Sequence, residues 1–175
     1  MINNEIKPAT DYFENYPPWI VFFSNLVSMA IYIIGSFIIY KIGFFYFTLY
    51  LIFILFLELR VIKGHCVDCY YYGKTCAFGK GKISGIFFKK GDSNRFCGQQ
   101  MNWLDILPDF LVSLVPMAAG IIILINNFSW LILLLVIVLF ILAFPGSGMI
   151  RSQLACKYCK QREIGCPAQK LFAKK

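Results

Sequence analysis

The sequence predicts an all-α membrane protein with four transmembrane helices, arranged as two tandem helical hairpins. Two observations predict this class. The 175-residue chain is 59% hydrophobic and only 15% charged, with a mean hydropathy of +0.67. A soluble domain of this length does not carry so much apolar surface. The motif C-x2-C-x6-C also occurs twice, each time after a long apolar segment with a central break. Each hairpin is therefore expected to be followed by a cysteine-rich segment.

The first hairpin is predicted to follow a short polar and aromatic lead. Pro18 and Trp19 at the end of this lead suit the headgroup layer of a bilayer, where Trp and Tyr are enriched. Residues 19–40 carry no charge and would form a helix of about 33 Å, enough for a hydrocarbon core of roughly 30 Å. Lys41 is the only charge before the next apolar segment at 43–62, so the connection is short enough to force an antiparallel hairpin.

The second hairpin is predicted to follow an interfacial turn at 101–107. Span three is expected at 108–125 and span four at 128–146. Pro145 and Gly146 are expected to end span four, because Pro and Gly stop or kink helices. The predicted domains are an interfacial lead, hairpin 1, a Cys- and Lys-rich loop, the interfacial turn with hairpin 2, and a Cys- and Lys-rich tail: 1–18, 19–62, 63–100, 101–146 and 147–175.

The two cysteine triplets have identical spacing and align without a gap. They are Cys66, Cys69 and Cys76 in the loop, and Cys156, Cys159 and Cys166 in the tail. Few other positions match between the halves, so the predicted duplication depends on the cysteine spacing and on the order of the elements. Each repeat has two spans, so the repeats would be parallel, related by an axis along the membrane normal. Both triplets are then expected on one face of the membrane.

The distribution of charge predicts which face this is. The chain has 17 Lys and Arg against 9 Asp and Glu, a net charge of +8. All of the basic residues except Lys41 lie at the cysteine ends of the predicted spans. The positive-inside rule therefore predicts a cell-membrane protein whose cysteine-rich segments and both termini are cytoplasmic. The same rule accounts for the positive charge without nucleic acid, which is not expected as a partner.

The cysteines favour a metal site. Cytoplasmic thiols are mostly reduced, and an odd number of cysteines fits a disulfide framework poorly. A C-x2-C turn places two thiolates about one tetrahedral edge apart, which suits zinc or the iron of an iron–sulfur cluster. The spacing to the third cysteine matches neither common ferredoxin pattern, so zinc and iron–sulfur both stay open. The candidate ligands are His65, Cys66, Cys69, Cys76, Cys97, Cys156, Cys159 and Cys166.

These ligands allow more than one arrangement. The two C-x2-C pairs would form one shared four-thiolate site. Alternatively, each triplet would form its own site, with Cys97 as the fourth ligand of one and His65 as the fourth ligand of the other. His65 is also explained as an exposed juxtamembrane residue. The cysteines themselves have two further interpretations, as unligated or palmitoylated thiols and as a C-x2-C redox pair.

The preferred function is a membrane-anchored zinc or iron–sulfur module, acting as a structural or electron-carrying subunit beside other membrane subunits. A soft-metal transporter or chaperone is the first alternative, although the predicted spans contain no Cys or His and only Met29 and Met117. A membrane thiol–disulfide oxidoreductase is the second. No Ser-His-Asp set, paired carboxylates or H-E-x-x-H motif supports hydrolysis, so an enzyme is not favoured. Besides the lipid bilayer itself, anionic lipid headgroups are expected to meet the Lys-rich loop.

Overall fold

Long apolar helices form the body of the protein. A bilayer core contains no water to hydrogen-bond the backbone, so a long apolar segment satisfies its own N–H and C=O groups by forming a helix. The computed structural model describes residues 12–98 and 103–167, and no strand occurs in these two ranges. The helices are α1 (Pro18–Tyr40), α2 (Phe44–Cys66), α3 (Lys80–Phe87), α4 (Ser93–Gly98), α5 (Trp103–Asn126), α6 (Trp130–Ala155) and α7 (Lys160–Gly165).

Four of these helices, α1, α2, α5 and α6, are long and apolar enough to cross a membrane. Their spanning segments contain 22 to 26 residues, and the most apolar part of each has a mean hydropathy between 1.9 and 2.7. At 1.5 Å per residue, these segments extend about 33 to 39 Å, which exceeds a hydrocarbon core of roughly 30 Å. The prediction of an all-helical fold with four helices able to span a membrane is confirmed for residues 12–98 and 103–167.

The first helix of each predicted hairpin lies at the centre of the bundle. Helix α1 packs against α2, α5 and α6, and α5 also packs against α6 and α2. Small residues permit this packing. A Cβ atom on Gly120 of α5 would lie only 2.4 Å from Val136 Cγ2 of α6, so a glycine is needed where these two helices meet.

A proline and a tyrosine join α2 to α5 within the bundle. Pro116 has no N–H, so the carbonyl of Val112, one turn earlier in α5, lacks its usual helical donor. The hydroxyl of Tyr50 on α2 donates to this carbonyl over 2.6 Å. Gly35 of α1 leaves room for the arrangement, since a Cβ there would lie 2.5 Å from the Tyr50 hydroxyl oxygen. The replacement bond removes an unsatisfied acceptor from an apolar environment.

Two predicted span boundaries were too early. Helix α2 continues through His65 to Cys66, ending in a π-helical turn at Ile62–Cys66. Helix α6 does not stop at Pro145 but continues to Ala155, with π-helical turns at Leu142–Gly146 and Ile150–Ala155. A π-helical turn is wider than an α-helical turn, so it accommodates a proline ring and a missing donor. The first cysteine of each triplet therefore lies at or directly after a helix end.

The segments outside the bundle are more ordered than the predicted lead, loop and tail imply. The predicted loop at 63–100 contains α3 and α4, and the tail contains α7. The interfacial turn predicted at 101–107 is, from residue 103, the first part of α5, which continues through Pro108 without a break. Residues 1–11 of the lead, 99–102 at the end of the loop and the start of the turn, and 168–175 of the tail lie outside the described residues.

Candidate metal centre

Three separate parts of the chain meet at the cysteine end of the bundle. We call this assembly the cysteine cap; it comprises residues 12–17, 66–98 and 156–167. Its buried core contains Tyr16 from the lead and Tyr71 from the loop, which are 3% and 2% exposed. Three cysteines from both triplets pack against this core: Cys69, Cys76 and Cys159. The two triplets are therefore neighbours in space.

Tyr71 joins all three parts of the cysteine cap. Its hydroxyl donates to the carbonyl of Phe13 in the lead over 2.7 Å and accepts the N–H of Lys160 in the tail over 3.0 Å. Tyr16 provides a second link, since its hydroxyl donates to the carbonyl of Ala155 at the end of α6. Burial raises the pKa of Tyr71 to about 12, so its hydroxyl stays protonated and keeps both roles at neutral pH.

Gln161 fastens the tail to the loop. This glutamine is 3% exposed, and its Oε1 accepts the N–H of Tyr70 over 2.7 Å. Its Nε2 lies 3.6 Å from the sulfur of Cys97 and 3.3 Å from the carbonyl oxygen of Gly165, donating to both. A buried amide with all of these partners fixes how the tail lies against the loop.

Glycines let the first triplet fold tightly. Gly73 and Gly79 have φ angles of 73° and 70°, which favour glycine, and they lie on either side of Cys76. The N–H of Gly81 points at the Cys76 sulfur, 3.3 Å away. A hydrogen bond from the backbone to sulfur is typical of a thiolate environment, because it stabilises negative charge on the sulfur.

The second triplet follows a different path despite its identical spacing. Cys156 comes directly after α6, and the N–H of Cys159 donates to the Cys156 carbonyl over 3.4 Å. Helix α7 then occupies the interval between Cys159 and Cys166, whereas turns occupy the corresponding interval between Cys69 and Cys76. Equal sequence spacing therefore does not produce equal backbone conformation in the two triplets.

The thiols of the two triplets lie close enough to influence one another electrostatically. The pKa of Cys69 is raised to about 12, mainly by burial and in smaller part by the nearby Cys66, Cys76 and Cys166 thiols. Burial likewise raises the pKa of Cys159 to about 12, and Cys69 is again among the groups that raise it. All seven cysteines are free thiols. Packing thiols together without water or a positive charge favours their protonated form.

The two remaining predicted ligands lie apart from each other, Cys97 within the cysteine cap and His65 on the helix next to it. Cys97 belongs beside the second triplet, because a Cβ on Gly165 would lie 3.5 Å from its sulfur. His65 lies on the last turn of α2 and contacts the ring of Phe96 edge-on, with the ring centres 6.2 Å apart. The Nδ1 atom of His65 is buried and has no hydrogen-bond partner among the described residues. An orphaned imidazole nitrogen is a donor that a metal would satisfy.

The geometry brings the predicted ligands to one region but does not close a site. Within residues 12–98 and 103–167, no three Cys, His, Asp or Glu side chains are arranged to hold a metal ion. The donor set itself, which consists of mostly half-buried thiols and one orphaned imidazole nitrogen, has the chemistry of a soft-metal site. Sequence reasoning did not find Gln161 or the joining role of Tyr71, since no spacing pattern marks a buried amide in a Lys-rich tail.

Comparisons with protein-family models, curated proteins and solved structures found no match for this chain.

Proposed function

We propose that the protein is a membrane-anchored soft-metal module, holding zinc or an iron–sulfur cluster in the cysteine cap and serving as a structural or electron-carrying subunit. One observation carries the proposal. The Cys69 thiol of the first triplet lies within electrostatic reach of Cys159 and Cys166 of the second. Residues that are distant in the chain therefore offer sulfur donors to one another, as a shared site requires.

The raised thiol pKa values support a metal more than thiol chemistry. A catalytic thiol needs a lowered pKa, provided by a positive charge or a helix N-terminus, whereas burial raises the pKa of Cys69 and Cys159. A bound metal cation would lower the pKa of these thiols. It replaces their protons, and its positive charge offsets the negative charges of the neighbouring thiolates. This chain would contribute the thiolate ligands of the metal. It would also contribute hydrogen-bond donors to those thiolates, such as the N–H of Gly81, which donates to Cys76.

The proposed membrane topology depends on the distribution of charge and on the order of the elements. Both spans that precede a triplet end in a π-helical turn at the first cysteine, which supports two parallel repeats. The concentration of Lys and Arg at the cysteine cap supports a cytoplasmic location for it. A transporter is less well supported, because the spans carry His65, Cys66 and Met149 near helix ends and only two soft side chains further inside, those of Met29 and Met117.

The test is the metal and acid-labile sulfide content of protein purified anaerobically in detergent, together with its absorption spectrum. About one or two zinc ions per chain without sulfide would identify a structural zinc module. Iron with matching sulfide and visible absorption would identify an electron carrier. Neither metal, with thiols that form a C-x2-C disulfide, would overturn the proposal in favour of a thiol oxidoreductase.

Cysteine variants test whether the metal binds in the cysteine cap. Cys69→Ser and Cys159→Ser are expected to reduce metal content by at least half, because each removes a donor from the region where the triplets meet. Every cysteine is a candidate ligand, so the matched control is Ser152→Ala, an exposed residue at the same end of α6. Metal retained in both cysteine variants would show that the metal binds elsewhere.

A further inference from the structure

An outward-facing stripe on α1 ends at an unpaired lysine. Phe22, Leu26 and Met29 recur at helical spacing along α1, and they are 62%, 49% and 57% exposed. This part of α1 is a membrane-spanning segment, so the surface faces lipid acyl chains. The stripe forms one wall of a cleft of about 650 Å³, and Lys82 and Thr75 lie at its other end.

The polar end of this cleft carries an uncompensated positive charge. Lys82 is exposed, and its ammonium group makes no hydrogen bond or ion pair with any residue that the structure describes. Its neighbour Lys80 differs, because its Nζ lies 2.7 Å from Glu58 Oε2, so this pair is locally neutral. Glu58 is further held by the hydroxyl of Tyr32, which donates to Oε1. Lys82 is therefore the cation available to a ligand.

A second cleft continues the first around α1. It has a volume of about 350 Å³ and shares Asn25 and Met29 with the first cleft. Its walls include Leu51 and Leu55 of α2, which are 43% and 60% exposed, and Ile83 of α3. The paired Glu58 and Lys80 also line the second cleft, so its polar groups are locally neutral. Two mainly apolar clefts that meet at Asn25 and Met29 match the form of a molecule with two acyl chains and one headgroup.

Helix α3 places Lys82 at the membrane surface. Its residues Ile83, Ile86 and Phe87 lie on one helical face and are 42%, 70% and 73% exposed. Gly81 and Ser84, on the opposite face, are buried against the cysteine cap. A short helix with lysines and an exposed apolar face is typical of a helix that lies in the interfacial layer.

We propose that these two clefts bind one anionic glycerophospholipid, with its phosphate against Lys82 and its acyl chains along Phe22, Leu26 and Met29 of α1 and Leu55 of α2. The apolar walls provide binding to any two-chain lipid. Lys82 provides preference for a negative headgroup. The inference does not depend on the metal proposal, since none of these residues is a candidate metal ligand.

The test is native mass spectrometry of the purified full chain, titrated with phosphatidylglycerol or phosphatidylcholine of identical acyl chains. One unpaired lysine at the membrane surface is expected to make the first bound phosphatidylglycerol about fivefold tighter than phosphatidylcholine. Lys82→Gln is expected to remove this preference. Lys90→Gln, an exposed lysine beyond the far end of α3, is the matched control and is expected to retain it.

A second pair of variants tests the apolar walls. Leu26→Trp fills the cleft from a lipid-facing position and is expected to weaken binding of both lipids at least fivefold. Leu134→Trp on α6 is the control, because Leu134 is 62% exposed and lines neither cleft. Equal binding of the two lipids by the unmodified chain would overturn the proposal. Equal effects of the lysine variants, or of the tryptophan variants, would do so as well, since binding would then be non-specific.

Discussion

The N–H of Lys160, directly after Cys159, donates to the hydroxyl of Tyr71, two residues after Cys69, over 3.0 Å. This bond joins the two cysteine triplets, whose residues are 89 positions apart in the sequence at this point. The Tyr71 hydroxyl in turn donates to the carbonyl of Phe13, so the lead is part of the same assembly. The Tyr71 hydroxyl therefore holds the tail against the loop together with Gln161, and any site shared between the triplets depends on both residues.

Tyr71→Phe is expected to loosen the tail without unfolding the bundle. The substitution leaves the Lys160 N–H and the Phe13 carbonyl without this partner, at a cost of about 1–3 kcal/mol for buried groups. Faster hydrogen exchange in residues 156–167 would report the loss. The control is Tyr158→Phe, since the Tyr158 hydroxyl has no hydrogen bond to a residue within the described ranges. Equal exchange in the two variants would contradict the joining role.

Gly81→Ala is expected to destabilise the cysteine cap. A Cβ on Gly81 would lie 2.2 Å from the Tyr71 carbonyl oxygen and 2.7 Å from that of Lys74. Both are backbone atoms, so the loop must move, at a cost of roughly 1–3 kcal/mol. The Cys76 sulfur would then lose the Gly81 N–H.

Thermal unfolding in detergent and the alkylation rate of Cys76 measure both consequences of Gly81→Ala. Gly64→Ala is the matched control, because a Cβ on Gly64 would meet nothing within 4 Å. The control is expected to leave the melting temperature unchanged or slightly higher, since alanine favours a helix. A Gly81→Ala variant with the same melting temperature as the control would show that the loop accommodates the added methyl group without loss of stability.

The spans could be predicted from the sequence because the bilayer imposes a simple rule. A predominantly apolar segment of about 20 residues has to be a helix in lipid, and four such segments, with at most two charged residues each, are visible in the chain. The ends could not be predicted as well. Polar His65 and Cys66 look like loop residues but continue α2, and Pro145 looks like a stop but lies in a π-helical turn of α6.

The candidate site was predictable only as a set of residue types. The repeated spacing identified the cysteines, but it also implied similar conformations in the two triplets, whereas α7 occupies one interval and turns occupy the other. Tyr71 is a buried link between three segments of the chain, with bonds to Phe13 and Lys160. Such links join residues far apart in sequence, so periodicity and spacing carry no trace of them.

Alkylation of Cys69 and Cys159 in the metal-free protein is expected to be slow at neutral pH. Only the thiolate reacts, and raising the pKa of these thiols to about 12 lowers the thiolate fraction. Their rates should be at least tenfold lower than in detergent-unfolded protein at pH 8. The alkylation rates of Cys69 and Cys159 should still rise between pH 9 and 10, the range in which the alkylation rates of ordinary thiols begin to level off. Peptide mass spectrometry after timed iodoacetamide labelling measures each site, and a plateau below pH 9 would contradict burial as the cause.

Tyr50→Phe is expected to destabilise the bundle only while Pro116 is present. The Tyr50 hydroxyl supplies the donor that Pro116 denies to the Val112 carbonyl, over 2.6 Å. Its loss should cost about 0.6–2 kcal/mol within the membrane. In a Pro116→Ala background, the alanine N–H restores the helical bond to Val112, so the same tyrosine change should cost less.

Tyr46→Phe, an exposed residue of α2, is the control for the loss of a hydroxyl. Unfolding free energies of the four proteins in this double-mutant cycle measure the coupling between Tyr50 and Pro116. Additive effects would show that the hydroxyl does not substitute for the missing donor, and Val112 would then be satisfied in another way.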